Sequence, residues 1–247
     1  MKLVFFSDVH GNGYSIMKFF EEIKQVSYDM IIFGGDIFGY YYDQEKIIRT
    51  LREHDCICLL GNHDQMFLDV LEGKISEDKL VMRYGLTYKN VSERISKENV
   101  EFLYSLNSRF DLETDSMHLA FVHGSLDDPL NGRIYPDTEI NDYRKYEGLD
   151  YVFMGHTHHK MKKVLPGGTI LINPGSIGQQ RDGKGCSYVI FDTVKRTDIL
   201  YNVDYNREYL AADIEAHDES AEMREKLLEV LYRKPDYRKL DSKNISS

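Results

Sequence analysis

The first third of the chain alternates short apolar runs with apolar residues at helical spacing. Residues 3–6 form a continuous apolar run, the length of a strand buried on both faces. The run ends in Ser7-Asp8-Val9-His10-Gly11-Asn12-Gly13, and then Ile16, Phe19, Phe20 and Ile23 recur with helical period. Residues 30–33 give a second strand ending in Gly34-Gly35-Asp36, and Ile47, Ile48 and Leu51 mark a second helix. Residues 57–60 give a third strand ending in Gly61-Asn62-His63-Asp64. Strand, loop and helix in repetition predict parallel strands with right-handed crossovers. Ligands gather at the carboxyl ends of such strands, where each glycine-bounded polar cluster stands.

Residues 65–107 are polar and helix-like, with Val100, Leu103 and Leu106 on one face. They read as a helical insertion over or beside the site. The second half turns to strands. Residues 110–112 and 119–122 predict a hairpin around Thr114-Asp115, followed by strands at 151–154, 161–165, 169–172, 187–191 and 199–203. Pro166-Gly167-Gly168 is a turn. These strands predict a second, largely antiparallel sheet, and with it a four-layer α/β/β/α sandwich of two mixed sheets flanked by helices. From residue 206 the pattern is helical and charge-rich until Pro235 stops it, and a tail runs to Ser247. The expected organisation is one domain over 1–205 and a C-terminal helical extension with tail over 206–247. The charged stretch 206–233 reads as a solvated helix or an oligomer contact.

The 247 residues carry a formal net charge of −10, which argues against stable binding to duplex nucleic acid. It leaves a small phosphorylated substrate open, because bound divalent metals would invert the local charge. Cys56, Cys58 and Cys186 are too few for a disulfide scaffold and read as core residues, the first two on alternate faces of a strand. No apolar run approaches a signal-peptide core or a membrane span, so a cytoplasmic protein is expected.

Five clusters at strand ends carry the chemistry: Asp8-Val9-His10, Gly35-Asp36, Gly61-Asn62-His63-Asp64, His123-Gly124 and Gly155-His156-Thr157-His158. They offer carboxylate, amide and imidazole donors without thiolate, a set suited to Mn, Fe, Co, Ni or Zn. Asp8 and His10, two apart on an extended strand end, point to one side and reach one ion. His156 and His158 are spaced in the same way. Asp36 is a lone carboxylate able to bridge two ions, and Asn62 adds a neutral oxygen. Seven ligands for two ions leave positions for water and substrate. A water between two ions loses its proton near neutral pH and attacks phosphorus in line. His63 is free to face the substrate and protonate the leaving oxygen, and Asp64 is expected to orient the His63 ring. His54, His118, His159 and His217 read as ordinary structural histidines. Tyr40, with Tyr41 and Tyr42, stacks on a base or caps an apolar edge.

In this order, DVH, GGD, GNHD, VHG and GHTH resemble the calcineurin-like metallophosphoesterase superfamily over residues 2–192. The resemblance implies a first metal, Mn favoured, on Asp8, His10, Asp36 and His158. A second would sit on Asp36, Asn62, His123 and His156, with His63 as the catalytic histidine. FFSDVHGN, the Gly39-Tyr40 pair and Asn173-Pro174-Gly175-Ser176-Ile177-Gly178 are similar to its small bacterial and archaeal phosphodiesterase branch. Arg181-Asp182-Gly183 resembles the arginine-bearing loop of that branch, so Asn12, Tyr40 and Arg181 are candidate substrate contacts. The arginines that the protein-phosphatase branch carries after its second cluster and before its GNHE are missing here. The expected activity is hydrolysis of a phosphodiester or nucleotide-type substrate. The alternatives on the same site are a phosphomonoesterase, a protein phosphatase or a dinucleoside polyphosphate hydrolase. A scaffold with a degenerate site is disfavoured, because all seven ligand positions and His63 are intact.

Overall fold

The computed structural model describes residues 1–114, 116–217 and 219–234. Pro235, the tail to Ser247 and Asp115 of the predicted hairpin turn lie outside the described residues.

In chain order the elements are β1 (Lys2–Phe6), α1 (Gly13–Ile23), β2 (Met30–Phe33), α2 (Gln44–Glu53), β3 (Ile57–Cys58) and α3 (Asn62–Leu71). Three short helices follow, α4 (Glu77–Tyr84), α5 (Thr87–Ser92) and α6 (Lys97–Ser105). Then come β4 (Arg109–Thr114), β5 (Met117–Val122), β6 (Tyr151–Phe153), β7 (Lys160–Val164), β8 (Ile170–Pro174), β9 (Cys186–Asp192) and β10 (Thr197–Val203). The chain closes with α7 (Arg207–Ala216) and α8 (Ala221–Leu231).

Two five-stranded mixed sheets form, in the orders β10-β9-β1-β2-β3 and β4-β5-β6-β8-β7. Strand alternation sorts the side chains. Leu3 and Phe5 of β1 face the second sheet, meeting Leu119, Phe121 and Phe153, while Val4 and Phe6 face the helices. Every α-helix contributes to that outer cluster, from Ile16 and Phe19 of α1 to Leu227 and Leu231 of α8. The outer face of the second sheet, Ala120, Val122, Val152 and Leu171, is covered by residues 124–149 through Ile134, Tyr146 and Leu149. Residues 124–149 contain one 3-10 turn, Arg144–Tyr146.

Four expectations need correction. β9 and β10 join the first sheet antiparallel to β1, not the second sheet. The second sheet is half parallel, because β6 runs parallel to both β5 and β8. Alternation fixes which face a strand buries but not which strand it pairs with, and pairing here is long-range. β3 is only two residues long. Beyond it, Leu60 N–H turns to the Asn107 carbonyl at 2.9 Å instead of continuing the ladder. Cys56 and Cys58 are both half-buried against the same helical cluster, while Ile57 between them faces the second sheet: residues two apart on an extended chain share a face, so the expectation of alternate faces is corrected. No helix among the described residues is long and apolar enough to cross a membrane.

Candidate metal centre and active site

The loops after β1 and β2 run side by side. Asp8 N–H donates to the Gly35 carbonyl at 2.9 Å, and His10 N–H to the Asp36 carbonyl at 3.0 Å. Asp8, His10, Asp36, His156 and His158 all have positive φ, between 51° and 67°. Each such non-glycine residue is strained by roughly 1–3 kcal/mol, strain that concentrates at functional sites. Asp8 and His10 therefore reach the same point through left-handed loop conformations, not through strand alternation. Neighbours hold these loops in place. Ser176 Oγ donates to the Asp8 carbonyl at 2.7 Å, and Asn173 Nδ2 to the Gly155 carbonyl at 2.6 Å. That gives the Asn-Pro-Gly-Ser motif a supporting role.

Two buried clusters result, Asp8, His10, Asp36 and His158 in one and Asp36, His123 and His156 in the other, with Asp36 shared. Asn62 joins the second, its Oδ1 lying 3.0 Å from His123 Nε2. His54, His118, His159 and His217 lie outside both clusters.

The histidine tautomers test whether cations fit. His10 Nδ1 faces the Phe38 carbonyl at 2.7 Å, His158 Nδ1 the Gln179 carbonyl at 2.5 Å and His123 Nδ1 the Gly34 carbonyl at 2.8 Å. A carbonyl only accepts, so each Nδ1 carries a proton and each ring, in its neutral metal-binding form, aims its Nε2 lone pair inward. His10 Nε2 and His158 Nε2 nevertheless lie 2.9 Å apart, where two lone pairs repel without a cation. Donor atoms each about 2.1 Å from one ion sit about 3.0–3.4 Å from one another. The separations match: His158 Nε2 to Asp8 Oδ1 is 3.2 Å, and His123 Nε2 to His156 Nδ1 is 3.2 Å. Asp36 Oδ1 accepts the His63 N–H at 2.8 Å, while Asp36 Oδ2 is buried with no hydrogen-bond donor. Asp36 Oδ2 stands 3.3 Å from His123 Nε2 and 3.6 Å from His10 Nε2, one histidine of each cluster. The donor set fits two divalent ions sharing Asp36.

The electrostatics agree. Burial would raise Asp8 and Asp36, but the facing histidines, His158 for Asp8 and His123 for Asp36, outweigh it and hold both carboxylates low. Burial pushes His10 well below the ordinary histidine value and His156 down to about 4. His123 is the exception. Burial opposes its charge, yet Asp36 and Asp8 prevail and raise it to about 9.

His63 sits in the first turn of α3, with Tyr84 of α4 and Tyr88 of α5 against its ring at centroid distances of 4.7 and 6.3 Å. Its Nδ1 meets Tyr88 Oη at 2.6 Å. Burial, then His158 and Arg181, push its pKa well below the ordinary value, which favours the neutral ring. Asp64 does not touch that ring. As the third residue of α3, its carboxylate turns back to the helix start, half of a capping box. Asp64 Oδ2 accepts from the Asp36 and Gly61 N–H groups, both at 2.9 Å, and Oδ1 from Ile37 at 2.8 Å and Phe38 at 3.1 Å. Asp64 thus anchors the loop that presents Asp36.

The clusters open into a cavity of about 320 Å³ bordered by Tyr40, His63, Tyr84 and Arg181. Arg181 donates to Tyr40 Oη at 2.9 Å. Asn12 is placed elsewhere: fully buried, it caps α1 and donates to the Gly178 carbonyl and Tyr205 Oη, both at 2.8 Å. Its amide is used up by the fold and does not reach the cavity.

Sequence reasoning missed Arg133, whose Nε lies 2.9 Å from His156 Nε2. It missed Tyr84, Tyr88 and Arg83 of the predicted insertion, and Lys226 and Arg233 of the C-terminal stretch, all placed at the site by packing. Gly132 before Arg133 was the one local signal. Its absent Cβ leaves room for Ser125 and the Asp128 carbonyl, as a loop folded tightly on itself requires.

Comparison with known proteins agrees with this geometry. Residues 1–196 match the calcineurin-like phosphoesterase superfamily domain. An uncharacterised protein of Methanocaldococcus jannaschii is 28% identical over 216 residues, covering 81% of this chain and 86% of its own. A metallophosphoesterase of Sphaerobacter thermophilus superposes with a TM-score of 0.74 at 24% identity, covering 92% of this chain and 99% of that one. A hypothetical protein of Pyrococcus horikoshii gives a TM-score of 0.76 at 17% identity, covering 94% and 99%. The chain belongs to the calcineurin-like phosphoesterase superfamily and is a phosphoric ester hydrolase of a family that uses divalent metal ions.

Proposed function

We propose that the protein is a dinuclear metallophosphoesterase acting on a small phosphodiester or nucleotide-type substrate. The observation that carries this reading is Asp36 Oδ2, buried, without a donor and between two histidine clusters. Asp8, His10, Asp36 and His158 would hold one ion, and Asp36, Asn62, His123 and His156 the other. Manganese is the expected ion by the family resemblance, while the donor set itself, five side chains of nitrogen or neutral oxygen and two carboxylates, suits Fe, Co, Ni or Zn as well. Two such ions supply Lewis acidity, making a water acidic and offsetting phosphate charge. The residues do the rest. His63, on the cavity lining with its Nδ1 held by Tyr88 and its ring kept neutral by burial, would donate a hydrogen bond from Nε2–H to the leaving oxygen. Tyr88 fixes the ring by its bond to Nδ1. Arg133 and Arg181, both on the cavity lining, orient the phosphate, and Tyr40 supports Arg181.

A metal-by-substrate screen tests the reading. Apoprotein loaded with Mn, Fe, Co, Ni or Zn is assayed on a nitrophenyl phosphomonoester, a bis-nitrophenyl phosphodiester and a dinucleoside polyphosphate. The expected result is diester turnover strongest with Mn. Turnover of the monoester alone would replace the diester reading, and no turnover in any metallated form would sink both.

A further inference from the structure

Among the described residues, five cationic side chains border the cavity, Arg83, Arg133, Arg181, Lys226 and Arg233, against a single carboxylate, Asp36. The chain as a whole has the opposite balance, with a formal net charge of −10. Among the described residues only Arg233 of these five has an acidic partner, Glu229 at 3.5 Å. Elsewhere on the surface, basic side chains such as Arg52, Lys74, Arg109 and Lys162 are paired with acids.

The five fall into two groups. Arg133 and Arg181 lie beside the candidate metal cluster and Tyr40, the Arg133 Nε 2.9 Å from His156 Nε2 and Arg181 donating to Tyr40 Oη. Arg83, Lys226 and Arg233 come from α4 and the C-terminal segment, and the last two stand beyond the family-matched residues 1–196. Lys226 Nζ donates to the Arg83 carbonyl at 3.0 Å, and the Gln180 amide donates to the Arg233 carbonyl at 3.1 Å, so α4, α8 and the Arg181 loop meet at one rim. The Arg83 guanidinium lies over the Tyr84 ring at 5.1 Å, and that ring contacts His63. The rim is therefore on the His63 side of the cavity.

Charge arithmetic asks for more than one phosphate. Two divalent ions against Asp8 and Asp36 leave a surplus that a single phosphate dianion neutralises. The rim cations remain over, and uncompensated cations lining one cleft hold and concentrate anions. We infer that Arg83, Lys226 and Arg233 form a second anion subsite that takes a phosphate carried by the leaving group. The substrate class is then a small molecule with two or more phosphates, an inference that rests on the phosphoesterase reading above. In the reaction water adds to phosphorus, the bond from phosphorus to the leaving oxygen breaks, and that oxygen takes a proton. No co-reactant beyond water is needed.

Calorimetry on the manganese-loaded protein, with manganese matched in the syringe, compares inorganic tripolyphosphate with orthophosphate. Tripolyphosphate is expected to bind at least tenfold tighter, with an affinity that falls steeply as salt rises. In the double variant Arg83→Gln/Lys226→Gln that preference is expected to shrink at least tenfold. Metal chelation by tripolyphosphate is the same for both proteins and cancels in the comparison. Equal preference in wild type and variant would overturn the subsite. Turnover of a bis-nitrophenyl phosphodiester is measured alongside. Its absence with the tripolyphosphate preference intact would count against the phosphoesterase reading and not against the subsite.

Discussion

Replacing Asp64 by asparagine keeps the side chain's shape and halves its acceptors. The carboxylate now takes four backbone N–H groups, two on each oxygen: Asp36 and Gly61 on Oδ2, Ile37 and Phe38 on Oδ1. In either orientation the new side-chain amide presents its NH2 group to two of those donors. Each buried N–H left without an acceptor costs about 1–3 kcal/mol, so two of them cost about 2–6 kcal/mol. A gain runs the other way. Burial and the neighbouring Asp36 push Asp64 up to about 7, so removing its charge relieves part of that burden. The expected net loss is about 2–4 kcal/mol, a large share of the roughly 5–15 kcal/mol typical of a folded domain. Urea denaturation of metal-stripped wild type and Asp64→Asn measures it without a contribution from metal binding. Asp36, presented by the same loop, should also bind metal more weakly in the variant. A denaturation free energy within about 0.5 kcal/mol of wild type would refute the anchoring argument.

Three further outcomes follow from the same geometry. At Gly39, φ is +94° and an added Cβ would lie 2.5 Å from His63 Nδ1, so Gly39→Ala should displace the His63 ring and cut kcat at least tenfold, measured on the diester. Tyr88→Phe removes the hydroxyl 2.6 Å from His63 Nδ1 and should lower kcat about tenfold with metal content unchanged, less than the roughly 100-fold or more that loss of the catalytic group itself costs, because the ring remains. Metal affinity should depend on pH through His123, raised to about 9 by Asp36 and Asp8. Below that value the apoprotein holds a proton that the ion must displace. Affinity should then rise about tenfold per unit from pH 7 and level off near 9, a slope read by competition with a fluorescent chelator. A flat profile would mean His123 is already neutral at pH 7.

What the sequence disclosed, and what it hid, divides by range. The apolar run 3–6 and the helical spacing of Ile16, Phe19 and Phe20 are local patterns, and β1 and α1 follow from them. The five polar clusters could be read for the same reason, since each donor is tied to the end of its own strand. The route to convergence could not be read, because positive φ at Asp8 and His10 replaces the strand alternation their spacing suggests. Adjacency in sequence ties Asp64 to the His63 ring, whereas a helix's third residue reaches back to orphaned N–H groups. Asn12 has the composition of a substrate contact, but it is spent on capping α1. Arg133, Tyr88 and Lys226 come to the site through tertiary packing of segments with no motif. β9 and β10 chose the first sheet by long-range pairing that no local alternation encodes.

The central proposal is that Asp36 would be shared by two ions, and metal stoichiometry by plasma mass spectrometry tests it most directly. Wild type, Asp36→Asn and His63→Ala are loaded with manganese, desalted and assayed for metal and turnover. The account predicts two ions per chain in wild type and in His63→Ala, near-complete loss in Asp36→Asn, and turnover nearly abolished in both variants. Asp36→Asn that keeps both ions and full turnover would contradict it.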